Sequence, residues 1–185
     1  GYHIPATNHP DYYPLSVLQN ILFSGESSRV YKRLVNKDQL VISVFGSSDL
    51  AFDPTLFYIT MQVKPDVAPE AAEKALYEEL EKVAKGDIKE EELQKAKNSL
   101  LVTFYSYFKT IASKANAIGN AEVFFGDYKK LLSTPEDFNR VKLEDLQRVA
   151  NKYFKPRNRT VVTLVPTPEE KEEKPQVTEN RGAAE

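Results

Sequence analysis

The chain contains 185 residues, of which 41% are apolar and 28% are charged, and this is enough for one large globular domain. Its 25 Lys and Arg residues against 27 Asp and Glu residues give a net charge of -2, which excludes the basic surface typical of nucleic-acid binding. The absence of cysteine excludes a disulfide framework, a thiol nucleophile and a Cys-based zinc site.

The first segment predicts a short strand and then an amphipathic helix. The strand, residues 2–4, begins abruptly, so we expect a domain that is truncated at its N-terminal edge. From Asp11 onward four apolar residues have helical spacing, Leu15, Leu18, Ile21 and Leu22. Gly25 suits the left-handed position after the last turn of this helix.

The stretch "SSRVYKRLVNKDQLVISV", residues 27–44, joins a second short helix to a strand. Ser27 or Ser28 is predicted to cap this helix, because a serine oxygen can accept a hydrogen bond from an unpaired amide of the first turn. No anionic ligand is evident for the basic residues that follow, and we expect them to be solvated or ion-paired: Arg29, Lys32, Arg33 and Lys37.

Two apolar segments, residues 40–45 and 55–63, predict an antiparallel pair of strands. The first is apolar on both faces and the second alternates, so we expect the first strand to be the more central one. A helix is predicted over residues 65–86, with Gly86 as its stop.

Helices dominate the rest of the chain. Asp87 and Glu90 resemble a capping box that opens a long helix, whose predicted inner face extends to Ile111. More helix is predicted over residues 113–126, then from a Thr134 cap with Pro135 in the first turn, and then over 143–154. Residues 159–166 predict a final strand.

These elements predict a single domain over residues 1–166 that contains an antiparallel pair of strands and several helices. Residues 167–185 lack aromatic side chains and contain six Glu residues. We therefore expect them to be a charged linker or a disordered tail.

No catalytic or metal-binding residue is predicted in this chain. His3 and His9 lack both a zinc-binding spacing and a third ligand, and the Glu90–Glu92 triplet suits the positive end of a helix dipole. The sequence contains neither a GxSxG nucleophile elbow nor a phosphate-binding loop. In the aromatic run 103–110, Phe104 and Phe108 have core spacing, so only Tyr105 or Tyr107 could face a ligand.

The order of these segments resembles the non-catalytic, C-terminal-type domain of the pitrilysin/insulinase-type zinc metallopeptidases, the inverzincins. The likeness covers nearly all of residues 1–166. One element that carries it is a "GxSSRxYKxL" motif, with Gly25, Ser27, Ser28, Arg29, Tyr31 and Leu34 at the motif positions. A second is the helix start "IKEEELQKAK" at residues 88–97.

The resemblance implies an α+β fold, with an antiparallel-rich sheet packed on one side by several helices, of the LuxS/mitochondrial processing peptidase-like metallopeptidase type. It also implies that this domain pairs with a homologous HxxEH-bearing catalytic domain and faces a second half of a clamshell that encloses peptide substrates. Zinc would be held in that catalytic domain. Because HxxEH is absent from this sequence, we expect no cofactor here and no hydrolysis by this chain alone.

A departure from the family pattern sharpens this expectation. Val35 and Ile42 occupy the places where a domain that assists catalysis carries Arg and Tyr. Neither side chain can donate a hydrogen bond to an oxyanion. The chain is therefore predicted to shape the substrate chamber and help hold peptides in a larger zinc metalloendopeptidase.

Two alternatives stay open from the sequence. One is a scaffold or assembly subunit derived from the same family with no peptidase activity. The other is an independent module that binds an extended peptide along a sheet edge. No apolar run approaches the ~20 residues of a membrane span. Periplasm or cell envelope, cytoplasm and organelle matrix are all compatible with the sequence.

Overall fold

The computed structural model describes residues 1–165, which form an α+β domain. Its strands are β1 (Tyr2–Ile4), β2 (Val41–Ser48) and β3 (Thr55–Val63). Its helices are α1 (Tyr12–Phe23), α2 (Arg29–Tyr31), α3 (Pro69–Ala84), α4 (Glu90–Tyr107), α5 (Ile111–Phe125), α6 (Lys130–Arg140) and α7 (Leu143–Tyr153). The α2 helix continues directly into a π-helical turn, Lys32–Lys37, and a short 3-10 turn, Pro156–Asn158, follows α7.

The three strands form an antiparallel sheet in the order β1-β3-β2. The prediction that the first strand of the central pair is the more central one is therefore wrong. β3 lies in the middle because β1 pairs with it, with Tyr2 opposite Phe57. As the edge strand, β2 pairs with a described strand on one side only.

The predicted final strand is also not observed among the described residues. Arg159 forms an isolated antiparallel bridge with Tyr2. Beside it the Gly1 ammonium donates to the Thr160 carbonyl, and the Thr160 amide donates to the Gly1 carbonyl. Beyond this bridge residues 161–165 are exposed, and no strand of the described part of the chain lies opposite them, so they do not extend the sheet. The predicted tail, 167–185, lies outside the described residues.

One face of the sheet is covered by helices, as predicted. Val44 and Phe57 point to the core, whereas Phe45 and Tyr58 lie on the open face. The covering helices contribute the most deeply buried side chains, among them Val17, Leu18 and Leu22 of α1 and Leu146 and Val149 of α7. The helical spacing of the apolar residues in α3 predicts one buried stripe, and its members are buried: Ala72, Ala75, Leu76, Leu80 and Val83. Gly86 ends that segment at φ +87°.

The predicted long helix is two helices. α4 begins after Lys89, and Glu92 rather than Glu90 caps its start by accepting the Lys89 amide at 3.0 Å. α4 ends at Tyr107, and Thr110 starts α5 by accepting the amide of Ser113 at 3.1 Å. Ile111, predicted on an inner face, is 87% exposed because the chain changes direction before it.

The predicted start of α6 is wrong as well. The helix begins at Lys130, so Thr134 is not its cap and Pro135 lies inside it. The hydroxyls of Ser133 and Thr134 donate to the Lys130 carbonyl at 3.1 and 3.0 Å. These bonds add polar contacts in the same turn as Pro135, which has no backbone N–H and cannot donate a helical hydrogen bond.

Candidate functional site

The segment from Gly25 to Leu34 is the most distinctive part of the sequence, and it forms a tight corner. Gly25 takes φ +73° after α1, which allows the chain to reverse into α2. Leu34 is fully buried and anchors the corner to the core, while Tyr31 packs half-buried against it. The corner therefore joins α1 to the sheet.

Neither predicted serine cap is present. Ser28 occupies the N-cap position of α2, but its hydroxyl makes no capping bond, and the side chain is 4% exposed and lacks a partner within the described residues. The Ser27 hydroxyl instead accepts a hydrogen bond from Lys95 Nζ of α4 at 2.7 Å. The serines thus pack the corner against α4 rather than end a helix.

Arg29 fixes the corner to the start of α4. Its guanidinium donates to both carboxylate oxygens of Glu92, at 2.7 and 3.0 Å, and lies 3.9 Å from Asp87. Burial alone would raise the pKa of Glu92, but hydrogen bonds from Arg29 and from the Lys89 amide lower it below its ordinary value. Arg29 therefore has a structural role, because both of its anionic partners belong to this chain.

The guanidinium of Arg33 is likewise bound by carboxylates of this chain. It donates to Asp38 at 3.0 Å and Glu79 at 2.9 Å, and it also binds Glu78. The hydrogen bond to Glu79 is the largest cause of a raised pKa of Arg33. Lys32 and Lys37 are exposed. The expectation that these four basic residues are ion-paired or solvated is confirmed.

Val35 and Ile42 both lie at irregular points of the backbone. Val35 belongs to the π-helical turn and packs half-buried against the core. The pairing of β2 with β3 shifts between Val41 and Ser43, so Ile42 is the bulged residue, and it is 51% exposed. Such turns and bulges are frequent at functional sites, where they redirect side chains.

No cluster of three or more His, Asp or Glu side chains that could hold a metal ion occurs among residues 1–165. His3 is exposed, and His9 Nδ1 accepts the backbone amide of Asp11 at 3.0 Å. Within the described residues no helix is long and apolar enough to cross a membrane.

A buried ionic cluster around Asp11 escaped the sequence analysis. Asp11 is 2% exposed. Its carboxylate accepts hydrogen bonds from Arg148 at 2.6 Å, Lys152 at 2.9 Å and Tyr153 at 2.6 Å. Its partners lie more than 130 residues away on α7. No local pattern could have revealed it, because Asp11 by itself resembles an ordinary helix start.

Comparison with known proteins places this geometry in a family. Residues 1–100 match the family model described as the peptidase M16 inactive domain. The zinc protease PqqE of Helicobacter pylori is 33% identical over 166 residues, which make up 90% of this chain and 37% of that protein. The chain thus spans little more than a third of this curated relative.

Solved structures agree with this match. The crystal structure of a protease from Helicobacter pylori superimposes with a TM-score of 0.79 at 30% identity, covering 85% of this chain and 38% of that one. The inactive peptidase domain of a Bordetella parapertussis protein gives a TM-score of 0.79 at 27% identity and covers 90% of both chains. The sequence match over more than half of the chain and these two folds lead to one conclusion: the chain belongs to the peptidase M16 inactive domain family.

Proposed function

We propose that this chain is the non-catalytic domain of a larger zinc metalloendopeptidase, where it shapes the substrate chamber and helps hold peptides. It would pair with a homologous HxxEH-bearing catalytic domain, in which zinc would be bound, and face a second half of the protein. The chain itself would supply neither metal ligands nor a catalytic group.

The observation that carries this proposal is the character of Val35 and Ile42. Both lie where the backbone departs from regular geometry, at a π-helical turn and a β-bulge. Such positions often present catalytic side chains. Here the side chains are apolar and can neither donate a hydrogen bond nor stabilise negative charge. This supports a domain that encloses a substrate without acting on its scissile bond.

The first experiment compares the isolated chain with the longer protein that contains it. We expect the isolated chain to bind no stoichiometric zinc, measured by atomic absorption, and to cleave no unfolded peptide. Zinc and hydrolysis together in the isolated chain would refute the proposal. A longer protein that lacks HxxEH and activity would instead support a scaffold role.

A second experiment tests whether Ile42 assists the reaction in the longer protein. Removal of a transition-state hydrogen-bond donor lowers kcat by about 100- to 1,000-fold. Because Ile42 offers no donor, we expect Ile42→Ala to change kcat by less than about threefold, which is well below that loss. A loss of two orders of magnitude with unchanged zinc content would contradict a purely enclosing role.

A further inference from the structure

A cleft of about 290 Å³ opens between α1, α4, α5 and α6. Seven aromatic residues from these helices and the α4–α5 turn line it, and three pairs of their rings meet edge to face. The ring centroids are 5.8 Å apart for Tyr12 and Phe125, 5.1 Å for Tyr13 and Phe138, and 4.9 Å for Phe104 and Phe108. The cleft is therefore bounded by rings that support one another.

The cleft favours an uncharged guest. Among the described residues that line it, Lys130 alone carries a charge. Its ammonium is already bound to Asp137 at 2.7 Å and lies 5.5 Å from the centre of the Tyr13 ring. A charged ligand group would lose its hydration here without gaining an unpaired counter-charge, whereas an apolar group would gain from burial.

Small residues on α5 create the space. Ala117 and Ala121 line the cleft and are 7% and 3% exposed. Larger side chains at these two positions would close the gap between α5 and α4. The volume lies at the lower end of the roughly 300–1,000 Å³ typical of small-molecule sites. It therefore suits one bulky side chain rather than a whole peptide.

We propose that the cleft between α1, α4, α5 and α6 binds one bulky apolar side chain, aromatic or branched aliphatic, of an unfolded peptide. This assignment rests on the proposed function, because that function supplies a peptide as the source of the group. A free aromatic molecule has the same chemistry, so the test must distinguish the two sources.

The test measures fluorescence anisotropy of two labelled peptides titrated with the 185-residue chain. Both are short Gly/Ser peptides, and they differ only in one central residue, Phe or Ser. We expect the Phe peptide to bind saturably and at least about tenfold more tightly, which is the ratio expected for burying one such side chain. Free indole, added as a competitor, should displace it.

Two matched pairs of variants locate the binding to the cleft. Ala117→Leu should fill the cleft and abolish the preference for Phe, whereas Ala115→Leu adds the same atoms at an exposed position of α5 and should retain it. Thr103→Lys places a charge among the lining residues of the cleft and should weaken binding of the Phe peptide. Ser106→Lys adds the same charge at an exposed position of the same helix that does not line the cleft, and it should leave this binding unchanged.

The possible outcomes separate the two proposals. Equal binding of both peptides would overturn the cleft assignment and leave the peptide-holding role intact. Indole binding that Ala117→Leu abolishes, without any Phe-peptide binding, would overturn a peptide as the source. Retention of the Phe preference in both Ala117→Leu and Thr103→Lys would overturn the location, since Thr103 is exposed and its substitution leaves the core unchanged.

Discussion

At the scale of single residues, the Asp11 cluster is a buried polar anchor of the domain. Burial alone would raise the pKa of Asp11, but hydrogen bonds from Lys152, Tyr153 and Arg148 outweigh it and hold the pKa well below its ordinary value. These bonds join the start of α1 to α7. The carboxylate therefore couples the two ends of the described chain.

Asp11→Asn should lower the free energy of unfolding at neutral pH by about 2 kcal/mol, because charge-assisted hydrogen bonds to a buried group are lost. Arg148 and Lys152 are about half exposed, so water limits the loss. Urea denaturation measures it. Asp53→Asn, which removes an exposed carboxylate in the loop between β2 and β3, is the control and should change little. A similar small change for both would contradict the anchoring role.

The lowered pKa of Asp11 also predicts that the effect of Asp11→Asn on stability depends on pH. Because the pKa of Asp11 is lower in the folded than in the unfolded state, its contribution is complete above the unfolded value of about 3.9 and is lost as the pH falls toward the folded value. The stability difference between the wild type and Asp11→Asn should therefore shrink below about pH 4. A constant difference from pH 7 to pH 3 would contradict this explanation.

Gly46 in β2 is predicted to be intolerant of any side chain. A Cβ there would lie 2.8 Å from Cε2 of Phe23 and closer still to two other ring atoms. Phe23 is 8% exposed and packs on Phe57, so its ring has little room to move. Gly46→Ala should cost about 1–3 kcal/mol. Gly119→Ala, with no atom within 4 Å, should instead stabilise α5 by up to about 1 kcal/mol.

At the scale of secondary-structure elements, ion pairs decide how the corner after α1 meets the helices. The Arg29–Glu92 pair is bidentate, and its side chains are 15% and 29% exposed. The Arg140–Glu136 pair joins neighbouring turns of α6 and is about 70% exposed on both sides. The Arg29–Glu92 pair joins α2 to α4, whereas the Arg140–Glu136 pair lies on the surface of a single helix.

A double-mutant cycle should distinguish these two pairs. Arg29→Met combined with Glu92→Gln should give a coupling energy of about 1–2 kcal/mol, because the bidentate pair is shielded from water. The Arg140–Glu136 cycle should give less than about 0.5 kcal/mol. Equal coupling in the two cycles, measured by urea denaturation, would show that shielding does not matter here.

At the scale of the whole molecule, the open face of the sheet carries exposed apolar side chains that no described helix covers. Ile42, Phe45 and Tyr58 are 51%, 65% and 45% exposed. Contiguous exposed apolar groups mark surfaces that another chain or domain covers. The proposed function provides such a cover in the remainder of the longer protein.

Phe45→Lys should therefore leave the stability of the isolated chain within about 0.5 kcal/mol while lowering peptide hydrolysis by the longer protein. Zinc content should stay unchanged, because the ligands lie in the proposed catalytic domain. Val123→Lys introduces the same charge on α5, where the side chain is 52% exposed, and should leave hydrolysis nearly unchanged. Equal losses in both variants would show that added charge, and not the sheet face, is responsible.

The sequence by itself determined the fold class, most of the helices and the family. Periodic apolar residues such as Leu15, Leu18 and Leu22 report burial directly, because a helix repeats every 3.6 residues. Local signals also identified Gly25 and Gly86 as helix stops, and both have positive φ. The absence of HxxEH was visible without a structure.

Only the tertiary structure decided the position of each strand, the break between α4 and α5, and the partners of the charged residues. β1 and β3 are separated by some fifty residues, so their pairing leaves no mark in either segment. The partners of Asp11 and Arg29 are equally remote in sequence, at Arg148 and Glu92. Strand order and ion pairing depend on contacts between residues that are far apart in the sequence. Helical periodicity and turns depend only on a few neighbouring residues, so they can be recognised from the sequence.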